Sequence, residues 1–226
     1  MLRLTPLLLA ILYGIAMYRF SAWRTARELD ARSTELADPH LLAVTGRLAR
    51  ALDLPRIKVH IYEIGQVNGL AAPDGRIFIT RGFYDRFRSG EVTAEEMASV
   101  IAHELGHVAL GHSRRRMIDF SGQNALRTAA GMVLNRILPG LGMIIANGLT
   151  ALLAARLSRK DEYEADAYAS ALLMKAGIGT APQVSLFGKL EHLSGSGRGM
   201  PAWLLSHPAT RDRIAAIEAN AARWQG

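Results

Sequence analysis

Two histidines and a glutamate stand in the stretch SVIAHELGHVALGH, in otherwise apolar company. His103 and His107 are four residues apart, so on a helix both imidazoles share one face. Glu104 follows His103 directly, about 100° round the helix, and reaches the same place from the side. This is the pattern H-E-x-x-H. Two neutral imidazoles suit a zinc ion. The glutamate is then no ligand but the acceptor of a proton from water, whose pKa the metal lowers from about 15.7 towards about 7. A helix with two merely structural histidines would carry the same five letters. The surroundings favour the metal: a capped start, an apolar opposite face, and Gly106 inside the motif. Glycine costs about 1 kcal/mol in a helix relative to alanine, so its presence marks a place where something packs close.

A third ligand has to come from elsewhere. In the longer arrangement H-E-x-x-H-x-x-G-x-x-H the third histidine would fall at position 113, which is Ser113. His112 misses by one residue and reads as a helix-end or surface histidine. Downstream, SRKDEYEADAYA offers Glu162, Glu164 and Asp166. Glu162 and Asp166 are four apart and share a helix face, whereas Glu164 points away. One of the pair as ligand, with the other accepting the N–H of a ligating histidine, makes a sensible metal environment. The chain has no cysteine. Thiolate nucleophiles and thiolate metal sites are thereby excluded, and the redox compartment is left open.

Three ordered stretches, HELGH, SRKDEYEAD and SHPATRDR, resemble the M48 metallopeptidases, the group of HtpX, the prenyl protease Ste24 and OMA1. The stretch NGLAAPDGRIFITRGF is similar to that family's strand segment before the metal helix, and the resemblance covers roughly residues 40–220. It implies a zincin-like fold and one Zn2+ per chain, bound by His103, His107 and Glu162, with Glu104 as base. It also implies Asp166 orienting His103, and His207 with Arg213 near the substrate carbonyl. Without the resemblance, His207 is simply a residue at the start of a helix. The chemistry implied is peptide-bond hydrolysis, with His207 donating to the developing oxyanion, an effect commonly worth about 3 kcal/mol. The alternative is a zinc-binding, chaperone-like or regulatory protein with little turnover. An intact Glu104 speaks against it, because binding needs no base.

The elements that must position these residues read as α+β, mainly helical. Residues 22–52 carry Ala and Leu at helical spacing, with a break at Asp38-Pro39. Ile57, Val59 and Ile61 alternate as in a strand, and RIFIT alternates again after a Pro73-Asp74-Gly75 turn. A small antiparallel sheet of three strands is expected beside the H-E-x-x-H helix. Its edge at Val67, Asn68, Gly69, Leu70 and Ala71 suits addition of an extended polypeptide substrate through main-chain bonds. Thr93 and Glu96 form a capping box, so the metal helix starts at Ala94 and turns Val100, Ile101, Leu105 and Val108 inward. Further helices are expected over residues 159–176, over PQVSLFGKLEHLS and from Pro208 onward.

Half of the residues are hydrophobic and the formal net charge is +7. No basic run interleaved with aromatics appears, so nucleic acid is not an expected partner. Leu4 to Tyr18 carry no charge, near the short limit of a bilayer span, and Tyr13, Tyr18 and Trp23 suit an interface. A retained N-terminal transmembrane anchor over residues 1–21, in contact with membrane lipid, is favoured over a signal peptide, because Gly14-Ile15-Ala16 is a poor cleavage signal. Residues 22–226 form the peptidase domain. Arg19, Arg24, Arg27 and Arg32 follow the anchor, so positive-inside counting puts that domain on the cytoplasmic side of a bacterial-type inner membrane. Residues 137–155 are also apolar, but one crossing there would part His107 from Glu162. Packed helices or a surface-lying hairpin are expected instead, interrupted by Pro139, Gly140, Gly142 and Gly148.

Overall fold

A computed structural model describes residues 5–72, 74–112, 135–136, 141–195, 202–207 and 211–225. The chain divides into two compact units, one of residues 1–31 with 112–160 and one of residues 32–111 with 161–226.

In the first unit, helix α1 spans Thr5–Ala31, well past the uncharged run. Its side chains Leu12, Ile15, Phe20 and Trp23 are exposed. Among the described residues no helix is long and apolar enough to cross a membrane.

The second unit holds the sheet. Strand β1 is Ser33–Glu35, β2 is Val59–Tyr62, β3 is Gly69–Ala71 and β4 is Ile77–Thr80. Their order is β1-β2-β4-β3. The sheet is mixed rather than antiparallel: β2 pairs β4 in parallel, while β1–β2 and β3–β4 are antiparallel. Side-chain alternation tells which face is apolar but not which strand lies alongside. All four residues of β4 are buried, as suits a central strand, and the small residues Gly69 and Ala71 take the edge. Strand β1 replaces part of the expected helix over 22–52. Ser33 and Thr34 are weak helix formers, and pairing with Tyr62 and Ile61 draws them into the ladder.

Helix α2, Pro39–Ala51, begins where Asp38 accepts the His40 and Leu41 main-chain N–H groups. Helix α3 is Arg81–Arg88 and α4, which carries the H-E-x-x-H pattern, is Ala94–Ala109. Helix α5 is Gly142–Lys175, α6 is Ala181–Gly195, α7 is Ala202–Ser206 and α8 is Arg211–Gln225. The core joins Leu41, Leu48, Ile77, Phe83, Met97, Ile101, Leu173, Leu190 and Ile217. Gly142 is the first residue of α5, and Gly148 lies inside it without interrupting it; a glycine costs about 1 kcal/mol, too little to break a helix otherwise rich in Ala and Leu. Residues 137–140 and 208–210 are outside the described ones, so the expectations placed on Pro139, Gly140 and Pro208 fall there.

The start of α4 is tied twice. Thr93 Oγ1 accepts the Glu96 N–H at 3.2 Å and Glu96 Oε2 accepts the Thr93 N–H at 2.8 Å, the capping box. Ser185 and Lys189 on α6 then donate to the same carboxylate at 2.7 and 2.9 Å. Burial opposes the charge of Glu96, yet Lys189, Ser185 and the Thr93 amide hold its carboxyl below the ordinary value. Glu96→Ala is expected to cost about 1–3 kcal/mol, the loss of a cap and of charge-assisted bonds. Because the folded value is depressed, this contribution is present above the unfolded carboxylate pKa, about 4.3, and fades as pH falls through and below it. Urea melts should therefore show a large gap between the two proteins at pH 7 and a smaller one at pH 3.

Candidate metal and active site

Helix α4 brings His103, Glu104 and His107 to one buried place, and α5 crosses it with Glu162 and Asp166. Gly106 sets the closeness of the crossing. A Cβ there would lie 3.1 Å from the Ala165 Cα and 3.1 Å from its carbonyl oxygen, so the main chain of α5 occupies the space a side chain would need. The sequence expectation of a close approach at Gly106 corresponds to this contact.

The donor atoms converge. His107 Nε2 is 3.1 Å from His103 Nε2, and the Glu162 carboxylate oxygens lie 3.4 Å from His103 Nε2 and 3.6 Å from His107 Nε2. Nδ1 of His207 is 3.3 Å from His103 Nε2 and 2.8 Å from Glu162 Oε2. One atom from each of His103, His107, Glu162 and His207 lies within 4.8 Å of all the others. Tetrahedral ligation with bonds of about 2.0–2.1 Å spaces ligand atoms about 3.3 Å apart, so His103, His107 and Glu162 at these separations fit one zinc-sized ion, which would keep its fourth place for water, with His207 beside them. His103 also has its tautomer set, with Nδ1 3.0 Å from Asp166 Oδ1, which leaves Nε2 with its lone pair towards the other donors. Burial alone would discharge His103, but Asp166 and Glu162 outweigh it and raise its pKa to about 9. Glu162 is likewise opposed by burial and held far below the carboxylate range by His103 and His207.

Around this set, Glu104 Oε1 lies 3.5 Å from His207 Nε2 and accepts the indole N–H of Trp203 at 3.4 Å. Arg213 is 3 % exposed. Its Nε and Nη2 fork onto Asp166 at 2.6 and 2.8 Å, with Nη1 3.4 Å from Glu162. Ser170 Oγ lies 2.8 Å from both the Asp166 carbonyl oxygen and Gln183 Oε1, and its single hydrogen bonds one of them, tying that turn of α5 to α6. Val67, Asn68, Gly69, Leu70 and Ala71 run along the sheet edge beside α4. A Cβ on Gly69 would come within 2.8 Å of Val100 and 3.6 Å of Glu104 Oε1, so the edge strand lies directly on the site.

Residues 35–221 match the pattern of peptidase family M48. The chain belongs to that family. As an M48 protein it is a metallopeptidase, a hydrolase of peptide bonds that works with a metal ion. It is 30 % identical over 203 residues to the metalloprotease LoiP of Escherichia coli, covering 84 % of this chain and 75 % of LoiP. It is 29 % identical over 257 aligned positions to an HtpX protease homologue of Salinibacter ruber, covering 97 % of this chain and 90 % of the relative. The mitochondrial metalloendopeptidase OMA1 of Homo sapiens is 25 % identical over 213 residues, 86 % of this chain and 39 % of OMA1.

His207 was expected near the substrate carbonyl, and its Nδ1 lies 3.3 Å from His103 Nε2 and 2.8 Å from Glu162 Oε2. His112, expected at a helix end or on the surface, is not one of these donors and is fully buried. Trp203 drew no notice, although a signal existed: it precedes His207 by four residues, and the His207 N–H bonds the Trp203 carbonyl at 2.7 Å, so the two rings fall on one side of α7.

Proposed function

We propose that the chain is a zinc-dependent endopeptidase, attached to membrane lipid through α1, that acts in membrane-protein or envelope quality control. The observation that carries the enzymatic part is the buried set of His103, His107, Glu162 and His207 within 4.8 Å, with a carboxylate base, Glu104, beside it. A zinc ion held there supplies Lewis acidity that polarises both water and the scissile carbonyl. Glu104 takes the proton from the attacking water and passes it to the leaving amine. His207 donates to the developing oxyanion from the side nearest Glu104. Asp166 holds the His103 ring, and Arg213 acts through Asp166 as a positioning residue rather than through the substrate. An extended polypeptide adds along the edge from Val67 to Ala71.

The attachment rests on the exposed Leu12, Ile15, Phe20 and Trp23 of α1, with Arg19 between them and Arg24, Arg27 and Arg32 after them, a charge pattern that suits anionic headgroups on the cytoplasmic face. The quality-control role is drawn from relatives such as the one named a putative beta-barrel assembly-enhancing protease, in Vibrio cholerae, 29 % identical over 154 residues.

Elemental analysis and casein digestion of the purified protein test the reading together. The expected result is one zinc per chain, casein cleavage, loss of cleavage on chelation and return on adding zinc. Protein that holds zinc but never cleaves casein would be the regulatory binder instead, and protein without zinc would end both readings.

A further inference from the structure

A polypeptide has to reach a site whose members are buried. His103, Glu104 and Trp203 are each 2 % exposed. Trp203 lies against the rings of His103, His207 and Phe187, with centroids 5.7, 5.3 and 5.6 Å away. Two of its hydrogen bonds bear on the reaction. The main-chain N–H donates to the Val67 carbonyl at 3.0 Å, and the indole N–H donates to Glu104 Oε1 at 3.4 Å.

The Val67 carbonyl is one that an added strand would use. In an antiparallel pair, alternate residues direct their main-chain groups to the partner and the rest direct them away. Thr80 donates to the Asn68 carbonyl at 3.0 Å and Ala72 to the Arg76 carbonyl at 2.9 Å, so Asn68 and Ala72 face β4. Val67, Gly69 and Ala71 therefore turn their main-chain groups to the open edge, since β3 is the last strand of the sheet. A substrate strand needs those groups. Trp203 already holds the first of them, and with its ring it also holds the base.

We propose that Trp203 is a positioning residue that couples strand addition to release of the base. A substrate strand takes the Val67 carbonyl from the Trp203 main-chain N–H, and the departing indole frees Glu104 Oε1 for the attacking water. The inference deepens the peptidase reading and rests on it. Occupancy of the edge at Val67 thereby switches the base on, so long extended substrates are favoured over peptides too short to reach it.

Two measurements test this in the full chain loaded with zinc. In the first, Trp23→Phe and Trp224→Phe remove the two exposed indoles, leaving Trp203 as the sole reporter, and Glu104→Gln prevents turnover. An eight-residue valine- and threonine-rich peptide is expected to shift Trp203 emission to the red and open it to acrylamide. A fully N-methylated copy, which keeps the side chains but cannot donate, is expected to do neither. Unchanged emission at saturating peptide overturns the proposal. In the second, kcat is compared for eight-residue and four-residue peptides. The wild type should favour the longer by about tenfold, the worth of one hydrogen bond. Trp203→Phe keeps the ring and the main-chain N–H but loses the indole donor. It should bring that ratio towards one by raising kcat of the short peptide, with KM and zinc content unchanged. A fall in both peptides together would make Trp203 a packing residue only, and overturn the proposal. Failure of the peptidase reading looks different: no cleavage of either peptide by zinc-loaded wild type, whatever the fluorescence does.

Discussion

Glu104→Gln is expected to give a protein that takes up zinc as before and has lost about a thousandfold in casein hydrolysis. Glutamine has the shape of glutamate and keeps an oxygen in reach of the Trp203 indole, which sits 3.4 Å from Glu104 Oε1. The residues proposed to hold the metal are His103, His107 and Glu162, so none of them is touched. What disappears is the ability to take a proton. A positioned general base contributes about 10²–10⁴ in rate, which sets the size of the effect. Zinc content by elemental analysis and initial rates on casein, measured on the same preparations, separate binding from turnover. Normal rates in the glutamine variant would remove Glu104 from the role of base.

The second large effect is on stability. Arg213→Met in the zinc-free protein should cost about 3–5 kcal/mol, read from urea unfolding. The guanidinium is buried and serves two carboxylates at once, with the fork onto Asp166 at 2.6 and 2.8 Å and Nη1 at 3.4 Å from Glu162. Burial raises the Asp166 carboxyl, and Arg213 followed by His103 brings it below its usual value. Methionine fills similar volume but leaves that charge without its fork. Zinc should restore part of the loss, because an ion at Glu162 binds only the folded chain. Arg213→Lys should fall between the two, since an ammonium cannot make two parallel bonds to one carboxylate. Equal midpoints for the methionine variant and the wild type would show the fork to be idle.

What the sequence disclosed is local. The capping box at Thr93 and Glu96, the shared face of His103 and His107, and the shared face of Glu162 and Asp166 are spacings of three or four residues, and a helix turns such spacings directly into geometry. The close approach at Gly106 was legible for the same reason, as a residue that does not belong in a helix unless something needs its room. The strand neighbours were not legible. Pairing of β2 with β4 depends on which strand is buried on both sides, and alternation within RIFIT says nothing of that. β1 was missed because three residues with weak helix propensity carry no pattern until Tyr62 and Ile61 lie beside them. Arg213 was expected near the substrate carbonyl; its fork onto Asp166 joins residues so far apart in the chain that spacing carries no trace of it.

The contact at Gly106 bears on which ion the protein can accept. Side chains adjust by turning about their bonds, but here α4 meets the main chain of α5, and a Cβ at position 106 would lie 3.1 Å from the Ala165 Cα. The spacing of the two helices that carry the imidazoles and Glu162 is thus set by backbone contact. Larger ions such as calcium want six to eight oxygens at about 2.3–2.6 Å, and the nitrogen-rich set does not offer them.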